Sequence, residues 1–112
     1  MQFVLTPKAC KDADAKFSGT ITLDLPTFDE RCEMGENLAI SLREVPDDIK
    51  GIRQARESVK LVAPRIKAVD IKKLKSGKEF KDLESLLVDP SCTDILTEVT
   101  LTILAGPQEG ND

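Results

Sequence analysis

The stretch Phe17-Ser18-Gly19-Thr20-Ile21-Thr22-Leu23-Asp24-Leu25-Pro26-Thr27-Phe28-Asp29-Glu30 decides the fold class, because its pattern changes midway. Phe17, Gly19, Ile21, Leu23 and Leu25 fall on one side of an extended chain. Ser18, Thr20, Thr22 and Asp24 fall on the other, which is the alternation of a half-buried strand. Pro26 ends it. Thr27 to Glu30 spells a capping box, in which the Thr27 hydroxyl accepts from the Glu30 backbone N–H and the Glu30 carboxylate accepts from the Thr27 N–H. Asp29, Glu30 and Glu33 complement the positive end of the helix dipole. A strand that hands over directly to a capped helix predicts an α+β fold.

Downstream, the first helix is expected to reach Arg43 or Glu44 and to pack through Met34, Leu38, Leu42 and, at its edge, Ile40. Val45-Pro46 breaks it. Asp47 is expected to cap a second helix over 47–63, on which Ile49, Ile52, Ala55, Val59 and Val62 draw one apolar stripe. Lys50, Arg53, Arg56, Glu57 and Lys60 flank that stripe on the wetted side, and Pro64 marks the end. From Arg65 the period falls to two. Lys67, Val69, Ile71 and Lys73 point one way; Ile66, Ala68, Asp70, Lys72 and Leu74 point the other. Lys75-Ser76-Gly77-Lys78 is a turn and Glu79-Phe80-Lys81 returns, giving a hairpin over 66–81. Asp82–Val88 makes a short helix or turn. Asp89-Pro90 opens a last helix over 90–105 as N-cap and N1, carrying Ile95, Leu96, Val99, Ile103 and Leu104, and Gly106-Pro107 stops it. Val99–Ile103 alternates and is β-branched, so a strand there stays open as an alternative.

Upstream, Met1–Ala15 offers an apolar touch (Phe3, Val4, Leu5) and then a polar arm, expected to be loosely held unless a neighbour pins it. The expectation is one helix-rich α+β domain over 1–112, with an N-terminal arm at 1–15, a core at 16–106 and a flexible tail at 107–112. Its helices pack with a β-hairpin or small antiparallel sheet.

The 112 residues are 40% apolar and hold no Trp, Tyr or His. A chain of this size buries roughly two-thirds of its unfolded surface without a staple. The three cysteines, Cys10, Cys32 and Cys92, are far apart with no C-x-x-C, which suits reduced thiols in a cytosolic protein. Without histidine there is no tetrahedral zinc set, no imidazole base and no Ser–His or Cys–His nucleophile. Cys92 sits where a helix dipole can lower its pKa, but it lacks a base, and Asp89 and Asp94 oppose a thiolate. Asp47-Asp48 and Glu30/Glu33 lie at helix starts, where capping explains them. No calcium loop or phosphate-binding glycine loop occurs. The expectation is a non-enzyme with no catalytic residue, no metal and no cofactor. Met1–Pro7 has no basic start and no long apolar run, and no segment approaches the roughly 20 apolar residues that span a bilayer. That predicts a soluble, intracellular protein with no membrane partner.

Charge is sorted along the chain. Residues 50–81 hold eleven of the sixteen basic residues and three acids, a net of +8, against −5 for 1–49 and −7 for 82–112. Such a block either meets an acidic partner or is answered by the chain's own flanks. Lys72, Lys73, Lys75 and Lys78 around the hairpin are candidate protein-binding residues. Nucleic acid is not the expected partner, because the pI is about 4.9 and Phe80 is the lone aromatic of the block.

Gly77-Lys78-Glu79-Phe80-Lys81-Asp82-Leu83-Glu84-Ser85-Leu86-Leu87-Val88-Asp89-Pro90, the helix Asp94-Ile95-Leu96-Thr97-Glu98-Val99 and the entry Leu25-Pro26-Thr27-Phe28-Asp29-Glu30-Arg31 resemble the tail assembly chaperones of long-tailed bacteriophages. The resemblance covers Phe17 to Val99. It implies a mixed, helix-rich fold without enzymatic activity, in the host cytoplasm. It also implies that the tape measure protein is kept soluble while the tail tube protein polymerises around it. A longer form made by ribosomal frameshifting is common in that family, and Gln108–Asp112 would then be the short form's own tail. No family motif assigns binding residues. The stripes Ile49/Ile52/Val59/Val62 and Ile95/Leu96/Val99/Ile103 could line a client groove, with Ile95 and Val99 as candidate contacts, or could bury against each other. A homo-oligomer is compatible with either. Two further classes stand beside the chaperone: a small phage tail or head-completion subunit, and a small charged regulator of a host nucleic-acid enzyme.

Overall fold

The alternation that starts at Phe17 becomes strand β2 (Phe17–Asp24) in a computed structural model that describes residues 1–107. The hairpin becomes β3 (Ile66–Lys73) and β4 (Glu79–Phe80). With β1 (Gln2–Leu5) they form an antiparallel four-stranded sheet in the order β1-β2-β3-β4. Leu5, Phe17, Ile21, Leu23, Val69, Ile71 and Phe80 are buried on its inner face. Helices α2 (Phe28–Leu42), α3 (Asp47–Val62) and α5 (Thr93–Ala105) close that face through Met34, Val62, Ile95, Val99 and Ile103. Short helices α1 (Lys8–Lys11) and α4 (Leu83–Leu87) complete the α+β domain. The tail assigned to Gln108–Asp112 lies outside the described residues.

The start of the chain is pinned. Phe3 pairs with Leu23 and Leu5 with Ile21, and the Leu25 N–H donates to the Met1 carbonyl at 2.8 Å. A run of three apolar residues is too short to show a period, and its partner strand lies far along the chain. Ile66 also departs from strict alternation. Thr22 pairs with Ala68 but Leu23 with Ile66, so Lys67 is the extra residue of a β-bulge. The bulge turns Ile66 from the wetted face, where alternation places it, to the core beside Leu23.

Helix ends follow local chemistry closely. Both halves of the capping box form, with Glu30 N–H to Thr27 Oγ1 at 3.2 Å and Thr27 N–H to Glu30 Oε1 at 2.8 Å. Asp47 is not a cap. Pro46 holds that position, and Asp47 and Asp48 act from the first turn on the dipole instead. Asp89 caps a 3₁₀ turn, Pro90–Cys92, that runs into α5. Val99–Ile103 is helical. Its threonines Thr100 and Thr102, like Thr97 a turn earlier, each donate a hydroxyl to the carbonyl four residues back.

Gly19 is the tightest point of the sheet. Its φ is +120°, and a Cβ built there would lie 1.9 Å from the Asp70 carbonyl oxygen of β3. Gly19→Ala should therefore destabilise the fold by roughly 2–5 kcal/mol, the sum of backbone strain and displacement of a neighbouring strand. Urea denaturation of the two proteins measures this. An unchanged midpoint would mean that β2 and β3 do not approach as described.

Candidate protein-binding site

Charge neutralisation within the chain decides what the basic block can offer. Lys73 Nζ donates to Ser91 Oγ at 3.0 Å and lies 3.8 Å from Asp89 Oδ2, while Lys78 Nζ reaches the same oxygen at 3.5 Å. Lys78 also sits 5.2 Å from the Phe80 ring centroid. Asp89 accepts from the Ser91 hydroxyl at 2.6 Å and its N–H at 3.0 Å. These bonds first, and the two lysines second, hold its carboxyl at about 2. Arg65 bridges Glu30 at 2.9 Å and Asp24 at 3.2 Å, tying the end of β2 to the start of α2. The Thr27 N–H and then Arg65 bring Glu30 to about 2 as well. Lys81 pairs with Asp70. Of the hairpin candidates, Lys73 and Lys78 thus already serve the chain's own acids. Lys72 and Lys75 are exposed and, among the described residues, form no ion pair.

The apolar candidates need correction. Ile95 and Val99 are each 1% exposed, so neither can touch a partner. The stripe on α3 is turned relative to the core: Ser58 and Val62 point inward, while Ile52 is 70% exposed. Periodicity locates a stripe but not which of its edges meets the core. Here the inner edge is taken by Ser58, small enough for α5 to approach closely.

That rotation leaves an open cleft of about 460 Å³ between α3 and α5. Ala55, Val59, Leu96, Thr100 and Leu104 line it, and no charged side chain does. Leu101, 49% exposed, lies at its α5 edge. The two helices run in the same direction. Arg65, just after α3, bonds Glu30, and Ile103 in the last turn of α5 accepts from Arg31 Nε at 3.2 Å, so both C-terminal ends meet the start of α2. A second groove, of about 520 Å³, separates α5 from β1. Lys8, Lys11, Asp94 and Glu98 stand around it and mix both signs of charge. Of the two, the α3–α5 cleft is the one lined without charge; Gln54, Ser58 and three threonines are its polar residues. Its residues are the neighbours of the candidates Ile95 and Val99, one helix edge away.

Among the described residues no group of three or more acids and cysteines could hold a metal ion, and no helix is long and apolar enough to cross a membrane. The Cys92 thiol is buried and its pKa is raised, by burial first and the Asp89 carboxylate second. The chain matches no family model, no curated protein and no solved structure.

Two outcomes test this arrangement. Val62→Asp should cost roughly 3 kcal/mol or more, because the carboxylate would be buried unpaired, whereas Val59→Asp should cost about 1 kcal/mol or less, since the cleft admits water. Thermal melts of both variants check it; equal losses would mean that the cleft is closed. Asp89 has a depressed folded pKa, so its contribution is present at neutral pH and is lost on acidification from about pH 5 towards pH 2. Asp89→Asn should lower stability at pH 7 and make the acid limb of the stability profile shallower. An acid limb identical to wild type would remove Asp89 from the account.

Proposed function

We propose that the protein is a non-enzymatic binder of a protein segment, working through the α3–α5 cleft. By resemblance to tail assembly chaperones, that segment belongs to the tape measure protein. The cleft carries the reading: an apolar surface on two parallel helices, open to solvent, with charge excluded from its lining. A chaperone needs such a surface to cover apolar stripes of a client while tail tube subunits polymerise around it. Charged residues of both signs along the outer edge of α3, Asp48, Arg56 and Lys60, keep the free protein dispersed. The ion pairs of the hairpin argue against nucleic acid, since Lys73 and Lys78 would have to leave Asp89 to meet phosphates.

Ile52→Lys and Leu101→Lys change exposed side chains, so the melting temperature should stay within a few degrees of wild type. Co-expression with the tape measure protein should then yield at least about tenfold less soluble complex, a loss of about 1.4 kcal/mol in binding. Lys72→Glu with Lys75→Glu should leave the yield unchanged. Full recovery of complex by the variants at the cleft wall (Leu101) and its α3 rim (Ile52), with loss in the hairpin variant, would move the binding site to the lysines.

A further inference from the structure

We propose that the occupant of the α3–α5 cleft is an amphipathic helix of two to three turns that carries acidic side chains beside its apolar stripe, with Arg56 as the residue that selects it. This rests on the reading of the cleft as the binding site and adds what it recognises.

Three observations lead there. The first is the state of the backbone. Both walls are helices whose peptide groups are already hydrogen-bonded, and the wall threonines are satisfied internally. Thr93, Thr97 and Thr100 donate their hydroxyls to the carbonyls of Pro90, Thr93 and Leu96, leaving their methyl groups for the cleft. An extended segment would find no backbone partners there. A helix brings its own.

The second is length. The lining runs from Gly51 to Val59 on α3 and from Thr93 to Leu104 on α5. At 1.5 Å per residue this is about 12 Å and about 16 Å, the extent of roughly 8–11 helical residues. A Cβ added at Gly51 meets nothing within 4 Å, so this end is open to an entering side chain.

The third is charge. Asp48, Ile52, Arg56 and Lys60 lie four apart and form one row along the outer edge of α3. The opposite edge on α5 has Thr97, Leu101 and Leu104, all uncharged. Lys60 is 3.6 Å from Glu57, but the Arg56 guanidinium is exposed and, among the described residues, forms no ion pair or hydrogen bond. Asp48 stands at the other end, in the first turn of α3, where the dipole of that helix offsets its charge. Along the α3 edge of the cleft the unanswered charge is thus a guanidinium, which favours a carboxylate on the facing side of the occupant in planar, bidentate contact.

The test uses three dye-labelled synthetic helices of about 14 residues that share one leucine stripe. They carry Glu, Gln or Lys next to it. Fluorescence anisotropy is read with the wild-type protein, Arg56→Glu and Ile52→Lys. The Glu peptide should bind about fivefold or more tighter than the Lys peptide, Arg56→Glu should reverse the order, and added salt should narrow the difference. Ile52→Lys should weaken all three, the Lys peptide most, because the new cation stands in the Arg56 row. Equal binding of the three peptides, unchanged by Arg56→Glu but lost in Ile52→Lys, would overturn charge selection and leave the cleft as the site. Absence of binding for every peptide up to about 1 mM would overturn both. A dimer in sedimentation that Ile52→Lys dissociates would assign the cleft to a second copy of the chain and overturn the proposal.

Discussion

Everything in this fold depends on the pairing of β2 with β3, two strands that the whole α2–α3 hairpin separates in sequence. Such non-local pairing costs chain entropy before it is rewarded. The reward is the inner face of the two strands, where Ile21, Leu23 and Ile71 are completely buried. Gly19 allows the strands to meet at a point where any Cβ would strike the Asp70 carbonyl. Once β2 and β3 are joined, β1 gains an edge to pair with, and α5 gains a floor for Ile95, Val99 and Ile103.

The linear sorting of charge has a three-dimensional counterpart. The basic middle third of the chain folds between its acidic flanks. Arg65 reaches back to Asp24 and Glu30 while Lys73 and Lys78 reach forward to Asp89. These contacts are mostly at the surface and each contributes little to stability. Their effect is on availability. They occupy Lys73 and Lys78 of the hairpin, while the α3–α5 cleft has no charge in its lining.

Local signals were legible where they are self-contained. The capping box at Thr27, the proline and glycine stops and the alternation at Phe17 each need only a few adjacent residues, and each occurs as expected. What needed a distant partner was hidden. Nothing near Phe3 announces Leu23, nothing near Lys67 announces a bulge, and the separation of Asp89 from Lys73 conceals that one carboxylate serves two lysines. The candidate site was half legible for the same reason. Helical spacing found the stripes on both cleft helices. The turn of each helix about its own axis is set by what it packs against, so Ile95 and Val99 went into the core and Leu96, Leu101 and Leu104 became the cleft wall.

The uncharged cleft between α3 and α5 is the surface on which the proposed binding of a helix rests. The most direct measurement is methyl NMR on isotope-labelled protein titrated with a soluble fragment of the tape measure protein. The account predicts shifts concentrated at Val59, Leu96, Leu101 and Leu104, with Leu23 and Ile71 unmoved. Shifts confined to the hairpin around Lys72 and Lys75, with the cleft methyls unchanged, would contradict it.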